Sequence, residues 1–207
     1  MRVVVFDLGG VVVRVCRAWE EACLRAGVEV REPERFASFE LREQRSSLSD
    51  AYQSGEIECS AYFAGVASAT DGLYTPEEVE RVHRAWVGED YPGIEAVIAS
   101  LNDEGVVTAC LSNTNRAHWD DLKGASPACA AIAVPLVSHE LHAVKPDDRI
   151  YRLAEEALGA SPADLVFFDD LEPNVLGARR MGWTSERIDH EGDTASQVRR
   201  HLRSLIG

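Results

Sequence analysis

The stretch that most narrows the possible folds is RVVVFDLGGVVV, Arg2 to Val13. Val3, Val4, Val5 and Phe6 form an unbroken β-branched and aromatic run. A strand built from it has apolar side chains on both faces, as in a parallel sheet covered on each side by helices. The run stops at Asp7, and Gly9 and Gly10 then let the backbone turn sharply. In open parallel α/β sheets, ligands bind beyond the carboxyl ends of the strands. Asp7 is therefore a candidate site residue by position alone; the plainer alternative is a solvated strand-end acid.

A chain of 207 residues can bury a full core, as one domain or as one domain carrying an insert. No apolar run approaches the roughly 18 to 20 residues of a membrane span. The N-terminus enters the first strand directly, which argues against a signal peptide and makes the cytoplasm the expected compartment. The formal net charge of -14 opposes a nucleic-acid or anionic-membrane partner, since no basic stripe offsets it. It also means that an anionic substrate needs a local source of positive charge. The five cysteines (Cys16, Cys23, Cys59, Cys110, Cys129) are odd in number and include no CxxC pair, so they read as free thiols.

From Arg14 to about Tyr91 the pattern is helical, with no strong strand. Trp19, Cys23 and Ala26 mark the inner side of a first helix ending near Gly27. A second follows Pro33 and carries Phe36, Phe39 and Glu40. Leu41 to Ser49 is polar and basic. A third, after Gly55, uses Tyr62, Phe63 and Val66. Thr75-Pro76-Glu77-Glu78 is a capping box with proline in the first turn. It opens a helix burying Val79, Val82, His83 and Trp86, on which His83 reads as a core histidine.

After Pro92-Gly93, helices and strands alternate. The expected strands are Val106 to Leu111, Ala131 to Val134, Leu165 to Phe168, and Glu186 to Ile188. Between them lie helices inward at Ile94, Val97, Ile98 and Leu101; from Asn115 to Lys123; inward at Ile150, Leu153, Ala154 and Ala157; and from Pro173 to Gly182. A last helix is capped at Thr194 and Gln197 and carries Val198, Leu202 and Leu205. One strand, a helical insert, then strand–helix units describe a doubly wound, Rossmann-like α/β core (1–13 and 92–207) interrupted by an all-helical cap (14–91), hinged near Arg14 and Tyr91.

Parallel topology brings Asp7, Ser112-Asn113, Lys145 and Asp169-Asp170 to one sheet edge. Three carboxylates crowded together are costly unless a cation binds or a proton is shared. Hard oxygen ligands with room for water and phosphate suit Mg²⁺. Ser112, neighbouring backbone N–H groups and Lys145 supply what a phosphate cradle requires.

These motifs, in this order, resemble those of the haloacid dehalogenase (HAD) superfamily. FDLGGV resembles its first motif, which implies that Asp7 is the nucleophile. LSN (Leu111 to Asn113) resembles the second, with Ser112 on the transferring phosphate. Lys145 of VKP resembles the third, and FFDDLEPN (Phe167 to Asn174) the fourth, metal-binding motif. The insert falls where the helical C1-type cap belongs. LSNTNR, KPD followed by IY, and FFDD with Asn174 resemble most the branch of α-D-glucose-1-phosphate phosphatase and the N-terminal phosphatase domain of soluble epoxide hydrolase. The resemblance implies a Mg²⁺-dependent phosphatase working through an aspartyl phosphate on a small phosphorylated metabolite, as a monomer or homodimer. Asp7, Gly9 (through its carbonyl), Asp169 and Asp170 would hold the metal. Ser112, Asn113, Gly10, Arg14 and Arg45 would bind phosphate or substrate, and Lys145 would assist catalysis.

One departure stands out. Most HAD phosphatases carry a second aspartate two residues after the nucleophile as general acid and base, and here that residue is Gly9. Placed proton transfer is typically worth about 10²- to 10⁴-fold, roughly 3 to 5 kcal/mol of barrier. Phosphoryl transfer leans mainly on positioning and charge neutralisation, so activity can survive the loss. The missing acid favours substrates with an easy leaving group, such as anomeric sugar phosphates. Two alternatives remain open: a metal-free 2-haloacid dehalogenase using Asp7, whose relatives replace the fourth-motif acids by uncharged residues, and a catalytically silent phospholigand-binding protein. His139 and His142 do not make HExxH, and there is no GxSxG, GxGxxG or P-loop. Arg14, Arg42 and Arg45 could read the substrate, and Trp19, Tyr52 and Tyr62 could floor a sugar, although solvated and packed roles are the default for each.

Overall fold

The structure, a computed structural model, describes residues 2–206, with side chains described through residue 204. Strand β1 (Val3–Phe6) is followed by the short strand β2 (Val13–Val15) and by helices α1 (Trp19–Ala26), α2 (Pro33–Phe36), α3 (Phe39–Gln53), α4 (Cys59–Ala69) and α5 (Pro76–Arg84). Strand β3 (Val87–Asp90) leads into α6 (Ile94–Asp103), β4 (Val107–Ser112), α7 (Arg116–Ala125), α8 (Pro127–Ala131), β5 (Val134–Val137), α9 (Ser138–Leu141) and α10 (Asp148–Leu158). Then come β6 (Leu165–Asp169), α11 (Glu172–Arg180), β7 (Thr184–Arg187) and α12 (Thr194–Ile206).

Five strands form one sheet in the order β5-β4-β1-β6-β7, and every pairing is parallel. The apolar run of β1 takes the centre, where both faces are covered. Val4 and Phe6 join one core with Ile94, Ile98, Trp119 and Val198. Val3 and Val5 join the other with Ile150, Tyr151, Ala178 and Trp183. This is the doubly wound, Rossmann-like α/β architecture the sequence implies. The helices between β2 and β3 bury a third cluster of their own, including Cys23, Phe36, Phe63, Tyr74 and Val82, which Ala117 of α7 also enters. Among the described residues no helix is long and apolar enough to cross a membrane.

Several elements differ from expectation, each for a local reason. The helix after Pro33 is two helices, because Ser38 is extended and caps α3 through Leu41 N (3.4 Å). The polar Leu41–Ser49 stretch lies within α3. An antiparallel ribbon, β2 with β3, stands where no strand was expected, pairing Val13 with Asp90 and Val15 with Val87. Strand β5 starts at Val134, three residues later than the expected Ala131, because Ser126 and Pro127 start α8 instead. Ala157 is exposed while Tyr151 fills the inward position on α10. The last helix is capped by Asp193, whose carboxylate accepts from Ser196 N (2.9 Å), not by Thr194. The side chain of Leu205 lies outside the described residues. Cysteines 16, 23, 59, 110 and 129 are all free.

Candidate active site

β1, β4 and β6 run side by side, so their carboxyl ends deliver Asp7, Ser112 and Asp169 to one edge. The register pairs Phe6 with both Cys110 and Phe168, which sets Asp7 one step beyond each pair. Asp7 N donates to Phe168 O (2.8 Å), tying the nucleophile candidate's backbone to β6. Asp7, Asp169 and Asp170 each offer a carboxylate oxygen within 4.8 Å of the others. All three are buried: Asp7 is 8% exposed, Asp169 0% and Asp170 3%. Buried carboxylates at that spacing repel one another strongly unless cations intervene.

Lys145 is one such cation. Its side chain is fully buried, with Nζ 2.7 Å from Asp169 Oδ2 and 3.0 Å from Asp7 Oδ1. Burial opposes its charge, but Asp169 and Asp7 outweigh burial and hold the ammonium protonated. Burial also raises the Asp7 carboxyl to about 7, against the pull of Lys145 and with Asp169 and Asp170 adding to the rise. Asn113 fixes the lysine loop from both sides, donating from Nδ2 to Lys145 O (2.9 Å) and accepting at Oδ1 from Lys145 N (2.8 Å). Asn113 is thus a brace for the lysine loop, a contact the motif alone does not reveal. Asn174, on the first turn of α11, donates to both Asp169 oxygens at 3.1 Å, and Leu171 N donates to Oδ1 (2.8 Å). Ser112 ends β4 and is buried at the same edge.

The glycines are read by what a side chain would strike. At Gly10 (φ +81°) a Cβ would overlap Asp170 Oδ2 and lie 2.6 Å from Arg17 Nη2, so only glycine fits. At Gly9 a Cβ would sit 3.3 Å from Val15 Cγ1, tight but not closed.

Two of the arginines named from sequence point elsewhere. Arg14 covers the ring of Tyr91 (4.6 Å) and pairs loosely with Glu89 (3.7 Å). Arg45 covers Phe36 (3.8 Å) and donates to Phe36 O (2.8 Å) and Leu41 O (3.2 Å). Their recorded partners are therefore in the insert and its ribbon, not in the acidic cluster. Trp19 stacks on Phe36 and Tyr52 on Tyr62, as packed aromatics do. The arginine that does reach the cluster is Arg17, whose Nη2 lies 2.6 Å from Asp170 Oδ2. Arg17 stands between β2 and α1 in no motif, so nothing in the sequence singles it out. His190 Nδ1 lies 3.8 Å from the same oxygen, and Arg187 Nε donates to Asp170 O (3.1 Å).

A Rossmann-like core with strand-end acids, a buried lysine and a helical insert after β1 defines a class of hydrolase. The chain belongs to the haloacid dehalogenase-like hydrolases, whose family model matches residues 1–182. It is 29% identical to Phosphatase MT3486 of Mycobacterium tuberculosis over 98% of this chain and 94% of that protein. It is also 29% identical to (S)-2-haloacid dehalogenase 4A of Burkholderia cepacia, over 50% of this chain and 45% of that one. A HAD family enzyme of Bacteroides thetaiotaomicron, solved in complex with magnesium and inorganic phosphate, superposes with a TM-score of 0.77. That match covers 93% of this chain and 96% of the other at 21% identity, a likeness of fold.

Proposed function

We propose that this hydrolase is a Mg²⁺-dependent phosphatase that acts on a small phosphomonoester, with sugar phosphates the leading class, through a phosphoryl group carried on Asp7. The observation that carries the reading is the convergence of Asp7, Asp169 and Asp170 as three buried carboxylates. Lys145 and Arg17 offset part of the carboxylates' mutual repulsion, and a divalent cation would offset more of it. The donor set is hard oxygen, and the absent Cβ of Gly10 keeps Asp170 within reach of Asp7. Asp7, Asp170 and the Gly9 carbonyl would hold Mg²⁺, with Asp169 engaged chiefly by Lys145 and Asn174. When bound, the ion neutralises charge on the phosphoryl oxygens.

The chain's own groups account for the rest. An Asp7 oxygen attacks phosphorus, and the bond to the leaving oxygen breaks with its electron pair. Lys145, held by Asn113, offsets charge that Asp7 would otherwise share with Asp169. The Ser112 hydroxyl donates to a phosphoryl oxygen. Water then cleaves the acyl phosphate, returning Asp7 and releasing inorganic phosphate. Gly9 cannot protonate the leaving oxygen, so that proton comes from solvent, which favours acidic leaving groups such as the anomeric hydroxyl. Residues 14–91 would act as the cap over a core of 1–13 and 92–207.

Among curated relatives, the near full-length similarity to a phosphatase supports this over the dehalogenase reading, whose curated relatives match about half the chain. A panel of aryl phosphate, sugar 1-phosphates, sugar 6-phosphates and a 2-haloacid, each with and without Mg²⁺, tests it. Phosphate release that needs Mg²⁺ and is lost in Asp7→Asn is the expected result. Halide release without metal would establish the dehalogenase instead, and no turnover of any substrate would leave a binding protein.

A further inference from the structure

Arg17 gives the acidic cluster a second resident cation. Its guanidinium is 2.6 Å from Asp170 Oδ2, and its side chain is 39% exposed where that of Asp170 is 2% exposed. The approach is built in. The Cβ missing at Gly10 would lie 2.6 Å from Arg17 Nη2, and Arg17 N donates to Glu21 Oε2 (2.8 Å), which fixes the backbone at the start of α1. Arg187 donates from Nε to the Asp170 carbonyl, and Arg17 addresses the carboxylate. One Nη2–Oδ2 bond uses one of the five guanidinium donors, and the Tyr91 hydroxyl is a further neighbour of the group.

Lys145 is enclosed between Asp7 and Asp169, whereas Arg17 faces Asp170. A substrate phosphoryl dianion adds further negative charge in a protein already at -14. A guanidinium beside Asp170 is poorly suited to helping a divalent cation, which it repels, and well suited to an anion, which it binds through a planar fork.

We propose that Arg17 is a phosphoryl-binding residue supplied by the root of the insert: it pairs with Asp170 and donates to the substrate's phosphoryl oxygens when Asp170 is engaged in holding the cation. The proposal rests on the phosphatase reading and adds a residue to it. It predicts opposite effects on the two ligands. Removing the guanidinium weakens phosphate binding and does not weaken metal binding.

Calorimetric titration of inorganic phosphate in saturating Mg²⁺, and of Mg²⁺ alone, tests it on the wild type, Arg17→Met and Arg17→Lys. Loss of a charge-assisted hydrogen bond predicts phosphate binding at least about tenfold weaker in Arg17→Met, with Mg²⁺ affinity equal or higher. Arg17→Lys, which keeps the charge but not the fork, falls between. Unchanged phosphate binding in Arg17→Met would overturn the role. So would parallel loss of both ligands, which would make Arg17 a mere support for Asp170. A wild type that binds Mg²⁺ but not phosphate would instead overturn the phosphatase reading, and the role of Arg17 with it.

Discussion

The Lys145 ammonium lies 3.0 Å from Asp7 Oδ1, with neither side chain more than 11% exposed. Without it, two carboxylates on adjacent strands would face each other through a dry interior. Replacing Lys145 by Met should therefore cost stability as well as turnover. Breaking a buried ion pair typically costs about 3 to 5 kcal/mol. Urea unfolding of Lys145→Met in chelator should show a loss of that order. Added Mg²⁺ should recover part of it, because the ion would replace some of the missing positive charge.

Gly10 faces two penalties at once. A side chain at φ +81° is strained by about 1 to 2 kcal/mol, and the Cβ would overlap Asp170 Oδ2. Gly10→Ala should lower the melting temperature and weaken the thermal shift that Mg²⁺ produces. The same substitution at Gly124, where nothing lies within 4 Å of the added Cβ, should leave that Mg²⁺ shift intact.

Gly9→Asp places at position 9 the acid that the resemblance to HAD phosphatases leads one to expect there. Its Cβ would press on Val15 at 3.3 Å, so the companion change Val15→Ala makes the fair background. Gains should be larger on sugar 6-phosphates, whose alcohol leaves poorly, than on sugar 1-phosphates, and the ratio of kcat/KM values measures it. Equal gains on both would remove the link between Gly9 and leaving-group choice.

His83 and His118 stack at 3.9 Å across the contact between α5 and α7. His118 Nε2 donates to His83 O (2.7 Å), so its Nδ1 accepts from Asn115 Nδ2, whose Oδ1 accepts from His83 Nε2 (3.2 Å). The network is complete with both rings neutral. Burial pushes His83 well below its ordinary 6.5, helped by His118 and Arg84. Burial also lowers His118, against the His83 carbonyl and Asp121. The unfolded chain then binds more protons than the native one below about pH 6.5. Stability should be full above that pH and decline as pH falls through it. Urea midpoints should show a shallower acid loss in His118→Phe.

Much of this was legible in the sequence because it depends on local pattern. Val3 to Phe6 reads as a strand buried on both faces, and Asp7 and Asp169 mark strand ends abruptly. The capping box at Thr75 is complete, with Glu78 returning to Thr75 N (3.0 Å). What escaped was long-range or weakly patterned. Arg17 meets a partner 153 residues away. β2 has three residues and β3 contains Gly88, Glu89 and Asp90, poor strand formers that hold by pairing with each other. The expected strand ends at Val134, yet β5 runs on through Pro135 to Val137 as an edge strand, where proline is tolerated. Asn113 resembled a phosphate ligand, and only the fold shows that it braces Lys145.

The most direct measurement is rapid quenching of the enzyme with an aryl phosphate and Mg²⁺, followed by peptide mass spectrometry. A phosphoryl group should be found on the peptide containing Asp7, and it should be missing from Asp7→Asn and from samples with excess chelator. Hydrolysis that continues in chelator or in Asp7→Asn, or a phosphoryl group trapped on another residue, would contradict Asp7 as the metal-assisted nucleophile.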